Sequence, residues 1–352
     1  MPTADDVAER IFAAGLGTIE LLSVHLGDRL GLYRAVADLG EPTAAEVAAR
    51  SGVHERYARE WLEQQAVTGL LTARGADDAR RFAMPDATRE VLLDPTSLNY
   101  LAPLARMFAA SAAKMPELLT AYRTGGGVSW DDFGPDARES QAEMNRPWFE
   151  QRLAGALAGV PAVHDVLSRP GARIADLGCG GGWSSIALAR AYPGATVDGY
   201  DVDGPSVTLA TTHAAESGLA DRARFHQVDV SGSEVGEGYD AVFAFECVHD
   251  LSAPVEFLAT ARRATAPDGV TVVMDEAVQP EFTAPGDDLE RLMYGFSLLV
   301  CLPDGMSSQP SAATGTVMRE GTLRGYAQAA GFTDVQVLPV DDFGFFRFYQ
   351  LR

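Results

Sequence analysis

The chain is poor in cysteine, in positive charge and in long apolar runs, and each shortage removes a class of protein. Cys179, Cys247 and Cys301 are its three thiols, scattered and odd in number. They make neither a disulfide framework nor a metal-ligand spacing, and small buried apolar residues are the better reading for at least two of them. Arginine and lysine number 28 against 49 acidic residues, a formal net charge of −21. Such a surplus repels phosphate backbones at long range and makes nucleic acid a poor partner. A membrane span asks for about 18 uncharged apolar residues. The longest candidate, around 98–113, is broken by Pro103 and Arg106 and closed by Lys114. The opening MPTADDVAER lacks the basic start and apolar core of a signal peptide, so a cytoplasmic protein is expected.

What is present is globular. At 352 residues, 47% apolar and 22% charged, the chain has room for two domains. From about residue 5 to 170 the pattern reads as helix, with apolar residues three and four apart, as at Ile19, Leu22, Leu26 and Leu30. From 171 onward the runs ARIADL, ATVDGYD, ARFHQVD, YDAVFAFE and GVTVVMDE alternate with helical stretches, which predicts a doubly wound parallel α/β sheet. Gly204-Pro205 and Ser252-Ala-Pro254 mark two helix starts. DVQVLPV and FGFFRFYQLR are separated by a turn too short for a crossover, so the last strand is expected to be antiparallel.

The stretch DLGCGGG, 176–182, places four glycines in five positions between a strand and a helix, where each costs backbone entropy. Free N–H groups at a helix start suit an anionic or carboxylate group. A dinucleotide fingerprint fails, because the sixth position counted from Gly178 is Trp183. An acid 23 residues beyond Gly178, Asp201, ends the second strand and can accept from both hydroxyls of a ribose. Asp229, at the end of the third run, can take a hydrogen bond from an exocyclic amine.

Together these residues resemble the class I S-adenosylmethionine-dependent methyltransferases, a Rossmann-like fold. The resemblance implies that Gly178, Gly180 and Gly182 approach the cofactor and that Asp201 binds its ribose and Asp229 its adenine. Asp176 orients the loop or the methionine ammonium, Cys179 and Trp183 pack around it, and Val230 and Phe245 join the cofactor contacts.

The segment from Thr43 to Met84 reads as a short helix, a turn at Gly52, a longer helix from His54 to Val67 and a hairpin ending near Ala83, a winged helix-turn-helix. Six arginines against six acids leave it no basic footprint for DNA. A winged-helix front end on this catalytic domain resembles the small-molecule O-methyltransferases, and more closely an actinobacterial branch of winged-helix methyltransferases. That implies a homodimer, and the apolar helices around Ile11 to Leu32 agree with one. The expected organisation is a winged-helix dimerisation domain over 1–95, a helical linker and substrate cap over 96–170, and a cofactor domain over 171–352 with a helical lid at 281–312.

Methyl transfer needs an aligned nucleophile and a group to take its proton. After the fourth strand the chain reads FECVHDLSAP, and the resemblance maps the general base onto His249, with Glu276 orienting it. Asp250 is expected to cap the helix near Ser252. Met107, Phe108, Met144 and Trp148, with Phe149, Tyr294 and Phe296, are candidate substrate contacts, although core packing explains most such stripes. Some members of the branch have a metal-binding histidine before Cys-Leu-Pro; here that position is Val300, and a single histidine makes a poor metal site. The expectation is therefore methylation of a small, partly aromatic acceptor, oxygen favoured, with no metal. Carbon or nitrogen methylation and a cofactor-sensing transcriptional regulator are the alternatives.

Overall fold

A reciprocal cap starts the winged motif. The Thr43 hydroxyl accepts from Glu46 N, and the Glu46 carboxylate accepts from Thr43 N, so the helix Ala44–Ser51 begins where both donors are satisfied. Gly52 ends it in the left-handed region at φ 69°, and His54 caps the helix Glu55–Val67 by accepting from Arg56 N. Strands β1 (Thr72–Arg74) and β2 (Arg81–Ala83) then pair antiparallel as the wing. The computed structural model describes residues 2–232 and 235–352 and divides into two units, Met1–Ala112 and Ala113–Arg352.

The first unit closes its core around Tyr33, Trp61, Leu62 and Phe82, with the Trp61 ring edge-on to Tyr33 at 4.8 Å. Any side chain at Gly27 would run into Trp61, so glycine lets the helix Ala4–Arg29 pack there. An apolar stripe of that helix is uncovered: Ile11, Phe12 and Ile19 are 66%, 70% and 61% exposed. On the longer helix of the winged motif Arg59 is bound to Glu55 and Asp78, and Arg56 to Glu60. Those cations are neutralised within their own surface.

The second unit is built on β3 (Arg173–Leu177), β4 (Thr196–Asp201), β5 (Ala223–Gln227), β6 (Tyr239–Phe245), β7 (Thr265–Glu276), β8 (Val335–Val337) and β9 (Phe346–Leu351). They lie in the order β5-β4-β3-β6-β7-β9-β8. The first five are parallel, and β9 runs antiparallel to both β7 and β8, as the short final turn predicts. Apolar clusters cover both faces. From β3 the chain crosses outward to β4, whereas β6 and β7 lie on the opposite side, so the loops after β3 and β6 diverge. Ligands of open α/β sheets bind at that switch point.

Two segments frame it. The cap helix Trp130–Trp148 is kinked at Gly134, where φ is 78°. The insert expected at 281–312 contains the helix Asp288–Phe296, one wide turn at Ser297–Cys301 and the short helix Leu302–Gly305. Helices begin at Gly204 and Pro254, as the prolines predict, but the second has Ala253 at its cap with no side-chain hydrogen bond. Asp250 therefore does not cap it. It turns instead toward His249.

Candidate active site

The glycine loop after β3 has three residues in the left-handed region, Gly178 (φ 73°), Gly180 (φ 50°) and Gly182 (φ 79°). Their roles differ. A Cβ on Gly178 would lie 2.7 Å from Cys247 Sγ, and one on Gly182 would lie 2.7 Å from the Ala210 methyl and 2.8 Å from the Phe225 ring. Those two glycines let the protein pack on itself. At Gly180 a Cβ meets nothing within 4 Å, so this is the position that leaves room for a ligand. Gly181, unremarked in the sequence, admits the cap helix: its Cβ would be 2.6 Å from Ala142. His213 Nδ1 donates to the Gly181 carbonyl at 2.8 Å and the ring stacks on Trp183, so this histidine helps to hold the loop.

The acids form a graded series around this loop. Asp176 is fully buried; one oxygen accepts from Ser184 and Ser185, both at 2.6 Å, while the other has no hydrogen-bond partner among the described residues. Burial pushes its carboxyl up to about 6 against those two hydrogen bonds. Asp201 accepts from Gly180 N at 2.8 Å through one oxygen and from Asp203 N at 2.9 Å through the other, which welds the end of β4 to the loop. Each carboxylate oxygen keeps a second lone pair for a ribose hydroxyl. Asp229 stands two residues past β5, exposed, accepting from Ser231 N at 2.9 Å, with Val230 buried beside it. Phe245 is buried between Phe243 and Phe149 at ring distances of 5.1 and 5.4 Å.

These observations fit S-adenosylmethionine. The orphaned oxygen of Asp176 can receive an ammonium, the open side of Gly180 allows a backbone approach, and Asp201 presents its carboxylate to a diol.

Across the switch point lies an acid–base cluster. His249 is 2% exposed; its Nδ1 is 2.9 Å from Asp275 Oδ1 and 3.2 Å from Glu276 Oε2, and its Nε2 is 3.3 Å from Asp250 Oδ1. Burial alone would lower the imidazole's proton affinity, but the three carboxylates outweigh it and hold the ring well above its ordinary value. Glu276 reaches His249 as expected, yet the hydrogen-bonded carboxylate is that of its neighbour Asp275, which sequence reasoning missed. No sequence signal separates the two, which are adjacent at the end of β7 and both reach the same ring nitrogen. Glu246 completes the group: at φ 53°, it accepts from Asn145 of the cap helix. Burial raises both Glu246 and Glu276 to about 8.

Two overlapping donor sets, His249–Asp250–Cys301 and His249–Asp275–Glu276, each converge within 4.8 Å and could hold a metal ion. Both depend on the same imidazole, that of His249.

The candidate substrate residues separate. Phe149 is buried and packs on Phe245 and Phe343, and Trp148 leans on Phe343 at 5.9 Å, so both serve the core of the second unit. Met144 and Phe296 are half-buried, on the cap helix and at the end of the insert's helix. Tyr294 is 37% exposed and meets Arg319, which also binds the buried Glu290 at 3.0 Å. Met107, buried, and Phe108, half-buried, lie on the helix Ala102–Ala113 of the first unit.

Residues 174–269 match the family model described as a methyltransferase domain, and residues 18–92 match the Rv2258c-like winged HTH domain. The ubiquinone biosynthesis O-methyltransferase of Caulobacter sp. (strain K31) is 37% identical over 103 residues, 29% of this chain and 40% of that protein. The chain thus spans less than half the length of this curated relative. Among solved structures, the mitomycin 7-O-methyltransferase MmcR superposes with a TM-score of 0.72 at 22% identity, covering 98% of this chain and 97% of the other. Human N-acetylserotonin methyltransferase in complex with SAM gives 0.71 at 18% identity over 100% and 99%. The N,N-8-amino-8-demethyl-D-riboflavin dimethyltransferase RosA from Streptomyces davawensis gives 0.65 at 20% identity over 100% and 99%.

Proposed function

We propose that this chain, a class I S-adenosylmethionine-dependent methyltransferase domain carried behind a winged-helix domain, methylates an oxygen of a small, partly aromatic acceptor. The observation that carries the reading is the joint formed by Gly180 and Asp201, with the unpartnered oxygen of Asp176 beneath it. When bound, S-adenosylmethionine supplies an electrophilic methyl group on a sulfonium. The chain's own residues do the rest. Asp201 accepts from the ribose hydroxyls, Asp229 from the adenine amine, and Asp176 from the methionine ammonium. The acceptor's proton enters the cluster centred on His249, whose positive charge is oriented by Asp275 and Glu276. The relatives named above include oxygen and nitrogen methyltransferases, and oxygen is favoured here because the cluster is built to take up a proton.

The protein acts as a homodimer, joined along the apolar stripe of the helix Ala4–Arg29, whose exposed side chains are too large and contiguous to face water. The cap helix and the insert close over the acceptor, with Met144 and Phe296 among its apolar contacts.

The test is transfer from methyl-labelled S-adenosylmethionine to a panel of phenols, amines and α-keto acids, read by mass shift. A labelled phenol supports the reading. Label on a keto acid carbon alone, or no label at all with a folded protein, contradicts it.

A further inference from the structure

The base expected from the sequence, His249, has no ring nitrogen to spare. Nδ1 faces Asp275 and Glu276, and Nε2 faces Asp250, whose carboxylate is held on the side of Cys301 in the insert. An imidazole with a carboxylate at each nitrogen holds its proton more tightly than a free one and turns no lone pair toward an acceptor. The three most enclosed members, His249, Asp275 and Glu276, are 1–2% exposed, and buried oxygens of Asp275 and Glu276 have no hydrogen-bond partner among the described residues. The cluster thus holds acceptor capacity that its own donors do not fill.

Glu246 differs from these in position. It is half-buried, and its backbone sits in the left-handed region directly after the carboxyl end of β6. A non-glycine residue there costs roughly 1–3 kcal/mol, and such positions cluster at active sites. Its carboxylate accepts from Asn145 on the cap helix, and Ala142, one turn earlier on the same helix, packs on Gly181. One helical turn therefore links Glu246 to the glycine loop. Its chain neighbour Cys247 touches the loop directly, donating to Leu177 O at 3.3 Å.

Resting on the methyltransferase reading, we propose that Glu246 is the catalytic group that removes the acceptor's proton, with His249 behind it as a fixed positive charge. The acceptor's lone pair forms the new O–CH3 bond as the S–CH3 bond breaks, its electron pair staying on sulfur as a neutral thioether. The O–H proton passes to a Glu246 carboxylate oxygen. Lost sulfonium charge and neutralised carboxylate balance, so the low-dielectric site changes no net charge. Burial and the facing Glu276 push Glu246 up to about 8, opposed by His249 and by hydrogen bonds from Asn145 and Gln141. A sulfonium bound beside it favours ionisation further. Cofactor binding near pH 7 then releases a proton, which readies the base only when a methyl group is present.

Two readouts test this in the full-length protein. The first is single-turnover methylation of 4-methoxyphenol, un-ionised near neutral pH, and of the more acidic 4-nitrophenol. Glu246→Gln is expected to slow the former by on the order of 10²–10⁴-fold and the latter by less than about tenfold, with Glu246→Asp recovering part of the loss. An equal deficit on both phenols, or none, overturns the proposal. The second is calorimetry of S-adenosylmethionine binding in two buffers of different ionisation heat. The wild type should release a fraction of a proton that Glu246→Gln does not, and equal release from both overturns the proposal. If the wild type methylates neither phenol, the reading of the substrate fails, while the calorimetric result still decides the role of Glu246.

Discussion

Asp201 accepts a hydrogen bond from Gly180 N at 2.8 Å, so the acid that ends β4 and the glycine of the 178–182 loop with open space at its Cβ position belong to a single rigid joint. The contact aligns an acceptor for a diol with a backbone that a ligand can approach. It also explains the glycine: at φ 50° and facing the ligand, any side chain would both strain the turn and occupy the site.

The loop glycines should separate on substitution. Gly180→Ala is expected to cost roughly 1–2 kcal/mol of stability for its left-handed backbone, and to weaken S-adenosylmethionine binding tenfold or more. Gly182→Ala meets Ala210 and Phe225 as well, and should cost about 3 kcal/mol or more. Denaturant unfolding and cofactor titration of both variants check the contrast.

Breaking the buried pair that ties the cap helix to the loop after β4 should be costly. Arg138 lies 2.5 and 3.0 Å from the two oxygens of Asp203, with side chains 10% and 6% exposed. Arg138→Leu leaves a buried carboxylate that also caps the helix Gly204–Glu216, and a loss of roughly 3–5 kcal/mol is expected in denaturant unfolding.

Stability should fall as the pH rises. Glu246 and Glu276 are raised to about 8, Asp176 to about 6, and His249 lies well above its ordinary value. In each case the folded chain binds protons that the unfolded chain has released. Their stabilisation is complete below about pH 4 and is lost through pH 8. Thermal unfolding without cofactor should show a loss on the order of 1–3 kcal/mol between pH 6 and pH 8.5. A gain over that range contradicts the protonation of the cluster.

Charge placed on the uncovered stripe should separate the subunits. Ile11→Glu with Phe12→Glu is expected to convert a dimer into a monomer by light scattering, since both side chains are about two-thirds exposed in the single chain. A wild type that runs as a monomer contradicts the proposed dimer.

Where local chemistry sets the structure, the sequence was sufficient. The helix start near Thr43, the turn at Gly52, the prolines opening two helices and the short final turn are each set by local chemistry, and each expectation agrees with the fold. In the candidate site, the contacts that the structure shows were legible where the motif is contiguous, from Asp176 to Asp201. It was not legible where partners come together from separate elements. Asp275 and Glu276 are adjacent in sequence, and only packing shows which one bonds to His249; Asp250 reads as a helix cap until the imidazole turns toward it. Aromatic side chains were the least informative, because Phe149 and Trp148 fill a core with the same composition as a pocket.

The most direct test of the account is titration of the wild type and of Asp201→Ala with S-adenosylmethionine by calorimetry. The account predicts saturable binding by the wild type and at least a tenfold loss in the variant, with both proteins folded. No binding by a folded wild type, or equal affinity in the two, would contradict it.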